Sequence, residues 1–164
     1  MGKGYIKQNS NIYFQARKAA AAYNEKLCSR EGAAELLGLS VASLADYELG
    51  NIKTVPVDKV VLMADLYRCP ELKYQYCKNE CPIGSCLPIA TQQRTVEKVA
   101  VRLLSELDTD GIEEMLKAVV KVAADGEIKE DELQQVRDIS KKMSCIQKAI
   151  SEYQLMVEKM EDRR

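Results

Sequence analysis

Apolar positions recur at helical intervals along most of this chain, so the sequence reads as helical almost throughout. The stretch "NIYFQARKAAAAYNEKL" is rich in alanine and free of glycine and proline, which favours a helix. In "SREGAAELLG", Ser29 suits an N-cap and Gly38 a helix stop. "SVASLADYELG" repeats the device: Ser40 caps, Leu44 and Tyr47 point inward, and Gly50 ends the helix. "PVDKVVLMADLY" opens on Pro56, whose missing N–H costs nothing in a first turn, and directs Val60, Met63, Ala64 and Tyr67 inward. A short turn or helix, "PELKYQYC", then leads into the cysteine-rich "YCKNECPIGSC".

The pattern restarts after Pro88. Val96, Val99, Ala100, Leu103, Leu104 and Leu107 form one helical stripe, and Ile112, Met115, Leu116, Val119 and Ala123 a second. A third stripe, Val136, Ile139, Met143, Ile146, Ile150, Tyr153, Val157 and Met160, alternates spacings of three and four in the manner of a coiled-coil seam. A helix carrying it runs to about thirty residues, roughly 45 Å, and outruns the two shorter helices before it. The seam closes an intramolecular three-helix bundle or pairs two subunits, and the excess length assigns its second half to pairing.

A chain of 164 residues has room for one sizeable core or two small helical units, and its 24 basic and 25 acidic groups leave a net charge of −1. That balance gives no global attraction to nucleic acid or to an anionic membrane, so any DNA binding is local. Residues 1–67 hold eight basic and seven acidic groups; residues 91–164 hold thirteen and sixteen. There is no histidine and no tryptophan. Without histidine, neither a Ser/His/Asp nor a Cys/His nucleophile system can be assembled, and no glycine-rich phosphate loop is present, so the chain is not expected to be an enzyme. No apolar run approaches the ~20 residues of a membrane span, and "MGKGYIKQNSN" lacks the apolar core of a signal peptide. The expectation is a cytoplasmic protein without a membrane partner.

The pair of short helices in "REGAAELLGLSVASLADYELG", joined by a glycine turn and followed by a proline-started helix, has the pattern of a DNA-reading helix-turn-helix. Small residues, Ala33 and Ala34, stand where the helices must cross. Over roughly residues 12–68 the sequence resembles the Cro/lambda-repressor-like (XRE, xenobiotic-response-element) family of transcriptional regulators. The chain, with "VPVDKVVLMADLYRCPEL" and "YCKNECPIG", is also similar to small regulators carried by phages and mobile elements. The resemblance implies that Arg30 touches phosphate, that Ser40, Val41, Ala42, Ser43 and Asp46 face the major groove, and that Asn51 and Lys53 contact the DNA backbone. It also implies a buried Arg17–Glu48 ion pair tying the first helix to the third. Two departures stand out. The chain between Arg17 and Ser29 is about six residues longer than the usual pattern. The reading helix carries Val41, Ala42 and Asp46 where base readout usually relies on Arg, Lys, Asn or Gln.

Cys77 and Cys81 have a spacing compatible with zinc, with Cys86 as a third ligand and Cys69 or a more distant thiol as the fourth. The same stretch also fits reduced thiols around a stiff Pro82-Ile83-Gly84 turn, a disulfide, or an iron–sulfur centre. Further on, Asp125-Gly126 in "AADGEIKEDEL" makes a turn before an acidic helix start.

These readings combine into an all-α protein: an N-terminal five-helix helix-turn-helix domain (10–75), a cysteine-containing linker (76–90) and a C-terminal helical bundle with a long last helix (91–164). The expected function is sequence-specific binding of double-stranded DNA as a homodimer, in transcriptional repression. Met143, Ile146, Ile150, Tyr153, Val157 and Met160 are the expected dimer seam. No cofactor is expected beyond the zinc alternative. The rival reading is a mobile-element antagonist of a host protein, such as an anti-CRISPR protein, built on the same scaffold.

Overall fold

The structure is a computed structural model, and it describes residues 11–124 and 126–162. Among these residues all regular structure is helical, so the fold is all-α with a long last helix. Two compact units are present: one runs to Ser85 and includes the residues from Lys159 onward, and the other is Cys86–Glu158. The division falls within the stretch expected as a linker. That stretch is not all linker, because α5 (Glu71–Asn79) extends through Cys77.

The first unit contains α1 (Ile12–Ala20), α2 (Arg30–Leu37), α3 (Val41–Leu49), α4 (Val57–Leu66) and α5. Asn11 caps α1 by accepting from the backbone N–H groups of Tyr13 and Phe14. Ser29 and Ser40 cap α2 and α3 in the same way, through the N–H groups of Gly32 and Ser43. Gly38 ends α2 at φ 62°, a left-handed conformation that a side chain disfavours, and so turns the chain within three residues into α3. Pro56 directly precedes α4, and its carbonyl accepts from Val60. The buried faces meet in one core containing Leu27, Ala33, Ala34, Leu44, Val60, Met63, Ala64, Tyr67 and Leu72. Ala33 and Ala34 are 0% and 1% exposed, and their small size allows α2 to pack on both α3 and α4.

The helix expected to run on toward Leu27 stops at Ala20 instead, and a 3-10 turn occupies Glu25–Cys28. Propensity loses here to tertiary contacts. Asn24 caps the turn through the Lys26 N–H, Leu27 is fully buried, and the Arg17 guanidinium binds the Leu27 and Cys28 carbonyls at 2.8 and 3.2 Å. The extra residues between Arg17 and Ser29 are thereby folded into the core's edge. Gly32 makes room for them: a Cβ at that position would overlap the Lys26 carbonyl.

The second unit contains α6 (Val96–Glu106), α7 (Thr109–Val122) and most of α8 (Leu133–Glu161). Thr95 and Asp108 cap α6 and α7. Between α7 and the start of α8, Val119, Val122, Ile128, Val136, Ile139 and Met143 line an apolar groove of about 370 Å³. Gly126, at φ 77°, stands in the connecting turn; Asp125 lies outside the described residues.

The three apolar stripes of this unit are only partly buried. On α6 only Val99 is fully covered, whereas Leu104 is 77% exposed, and on α7 Val122 is buried while Leu116 faces outward. Along α8 the covered face rotates. The first half turns Val136, Ile139 and Ile146 partly inward; the second half buries Ala149, Ser151, Glu152, Leu155 and Met156. Polar contacts fix that second face. The Ser151 hydroxyl accepts from Ala90 N–H at 2.9 Å, and the Glu152 carboxylate lies 3.1 Å from Arg94 Nε and 4.0 Å from Arg102 Nε. Ile150, Tyr153 and Met160 are left facing outward. No helix among the described residues is long and apolar enough to cross a membrane.

Candidate nucleic-acid interface

The outward face of α3 begins at Ser40. Its hydroxyl is held 3.0 Å from the Ser43 N–H and 2.8 Å from the Ser43 hydroxyl, so both side chains are tied to the helix start. Val41 and Ala42 are exposed beside them, and Ser43 and Asp46 are partly exposed. Asn51, just past α3, donates to Asp46 Oδ1 at 2.9 Å, which orients that carboxylate and occupies the amide. Lys53 is exposed in the loop that follows. Ser40, Val41, Ala42, Ser43, Asp46, Asn51 and Lys53 therefore fall along one short segment of chain, 40–53, that begins at a capped helix N-terminus.

Three contacts hold that segment. Inside the unit, the fully buried Glu48 accepts from Arg17 Nε at 2.5 Å and from Arg17 Nη2 at 3.0 Å. Burial disfavours the Arg17 charge, but the hydrogen bond with Glu48 outweighs it and the guanidinium is held more firmly protonated than usual. At the helix's far side, Asn11 donates to the Tyr47 carbonyl at 2.9 Å. Beyond α3, Glu80 accepts from the Tyr13 hydroxyl at 2.6 Å and from the Val55 N–H at 2.8 Å, joining α1, the loop before α4 and the end of α5. No sequence signal marks Glu80, because its partners are 67 and 25 positions away.

Arg30 takes a different place from the one the resemblance implies. Its Nε donates to Glu48 Oε2 at 2.8 Å, and its side chain is 32% exposed. Glu48 thus binds two arginines, and Arg30 serves the interior pair before it serves any phosphate. The surroundings are also less basic than a phosphate-tracking face usually is. Leu49 and Ile52 are 58% and 40% exposed, and Val57 and Val61 present one apolar edge of α4, a turn apart.

Among the described residues no group of three or more Cys, Asp or Glu side chains is placed to hold a metal ion. Cys77 lies in α5, Cys81 Sγ accepts from the Gly84 N–H at 3.5 Å, and Cys86 is exposed. Burial, with the Glu71 carboxylate beside it, pushes the Cys69 thiol up to about 12, and its Sγ donates to Glu71 Oε2. The glycine in this stretch has a steric role: a Cβ on Gly84 would overlap the Cys77 carbonyl, so the turn after α5 closes directly onto that helix.

Compared with family models, curated proteins and solved structures, the chain finds no match.

Proposed function

We propose that the first unit is a DNA-binding module that reads sequence with α3 and acts as a transcriptional repressor by occupying its site. The observation that carries this reading is the rigid presentation of residues 40–46. Two short helices joined by a three-residue turn hold the start of α3 outward, while Glu48, Leu44 and Tyr47 anchor the opposite face. This is the arrangement in which a second helix enters a major groove. Ser40 and Ser43 offer hydroxyls to base edges or phosphate, and Val41 and Ala42 suit thymine methyl groups. Lys53 and the first N–H groups of α3 supply the phosphate contacts.

A second reading, binding to a protein partner through the same unit, is favoured by the exposed Leu49, Ile52, Val57 and Val61 and by the engagement of Arg30 with Glu48. Selection from a random duplex library, followed by affinity measurements against salt, separates the two. DNA reading predicts an enriched site whose log affinity falls with log salt at about −0.9 per phosphate neutralised. If folded protein enriches no site, the DNA reading is lost and the apolar edge becomes the surface to test with a protein partner.

A further inference from the structure

The second half of α8 carries an open apolar stripe: Ile150 and Tyr153 are 43% and 47% exposed, with Val157 partly exposed in the same line. These residues keep the three-and-four spacing of the seam while the helix's buried residues lie on another face, so the stripe is left partly open. We propose that this stripe pairs with the same stripe of a second copy of the chain. Several features favour a copy over a foreign partner. The spacing is that of knobs packing into holes on a helix with the same repeat, which a second α8 supplies by symmetry. The flanking residues are Gln147 and Gln154, then Glu161, on one side and Ala149 and Met156 on the other, so apposing two identical stripes over Ile150, Tyr153 and Val157 brings mostly neutral side chains together. Lys142, the nearest flanking cation, is matched by Glu106 at 3.6 Å within its own unit. A charged partner would find little here to steer it.

The structure thereby divides the seam by task. Val136, Ile139 and Met143 line the groove with α7, and the residues from Ile150 onward serve the second copy. The pairing deepens the DNA reading, because two copies related by a two-fold axis read a two-fold site.

The test is the mass of the full chain by light scattering at micromolar concentration, for the native protein and for Ile150→Glu, Tyr153→Glu and Val101→Glu, with helicity followed by circular dichroism. The expected result is a native mass of twice 18.4 kDa. Each seam variant should weaken self-association roughly 30-fold or more, as loss of an interface hot spot does, while keeping its helicity. Val101→Glu, on α6, should leave the dimer intact. A monomeric native protein, or a dimer broken by Val101→Glu and untouched by both seam variants, would overturn the pairing. No DNA enters the measurement, so the two readings fail separately: a dimer that selects no site sinks only the DNA reading, and a monomer that selects one sinks only the pairing.

Discussion

Glu48 on α3 receives both ends of the Arg17 guanidinium from α1, at 2.5 and 3.0 Å, with the two side chains 0% and 3% exposed. The pair fixes the outward-facing helix to the helix that begins the unit. Removing one member of a buried pair generally costs about 3–5 kcal/mol, and Arg30, which stays on Glu48 when Arg17 is lost, holds the cost to the lower end of that range. Arg17→Met should therefore lower the unfolding free energy by that amount in urea titrations. Arg30→Ala, which removes a partner of the same carboxylate that is about one-third exposed, should cost only about 1 kcal/mol. Equal losses for the two variants would show that Arg30 holds the site as firmly as Arg17 does.

Steric fit at Gly32 gives a second prediction. Gly32→Ala places a Cβ against the Lys26 backbone carbonyl, which belongs to the 3-10 turn and cannot swing aside as a side chain can. A loss of about 1–3 kcal/mol is expected, the range for overpacking. Gly38→Ala meets open space and costs only its left-handed backbone, about 1–2 kcal/mol. Restored stability in Gly32→Ala on deleting residues from the 21–26 segment would confirm that the turn itself is the obstacle.

These sites differ in how far the sequence disclosed them. The α2–turn–α3 unit was legible because its signals are local: Ser29 and Ser40 as caps, Gly38 and Gly50 as stops, and Leu44 and Tyr47 at helical spacing. The Arg17–Glu48 pair was legible only through resemblance, since the partners are 31 positions apart. The contact of Arg30 with Glu48 escaped because a surface arginine at a helix start reads as a phosphate ligand when its neighbour in space is unknown. On α8, periodicity marked which residues are apolar. It did not mark the covered face, because Ser151 and Glu152 are drawn inward by Ala90, Arg94 and Arg102, contacts that hydropathy does not register.

Stability at alkaline pH follows from the buried acids of the first unit. Burial raises the Tyr13 phenol, with the Glu80 carboxylate beside it adding to the effect, and burial likewise raises Tyr67; the Cys69 thiol rises to about 12. In the unfolded chain the thiol ionises near pH 9 and the phenols near pH 10, whereas the folded protein retains these protons. The unfolded state then binds fewer protons, so stability is fully present below pH 9 and falls as pH rises, by about 1.4 kcal/mol per pH unit for each group involved. Unfolding free energies measured from pH 8 to 11 should show the decline beginning with Cys69. Cys69→Ala should flatten the curve between the thiol and phenol onsets, and Tyr13→Phe should flatten it above them.

The same burial orders the reactivity of the six thiols. Thiolate is the reacting species, so access and a low proton affinity together set the rate. Cys28 and Cys86 are exposed and should react first with a disulfide reagent at neutral pH. Cys69, protonated and bonded to Glu71, should react last. Peptide mapping by mass spectrometry after timed labelling reads the order directly. If Cys77, Cys81 and Cys86 instead react slowly as a group and become fast after chelation, they are held by a metal ion, and the turn onto Gly84 is then the closing loop of a metal site. If Cys86 reacts at the rate of Cys28 with and without chelator, the stretch that looked like a ligand set is a turn whose glycine, not its cysteines, determines its shape.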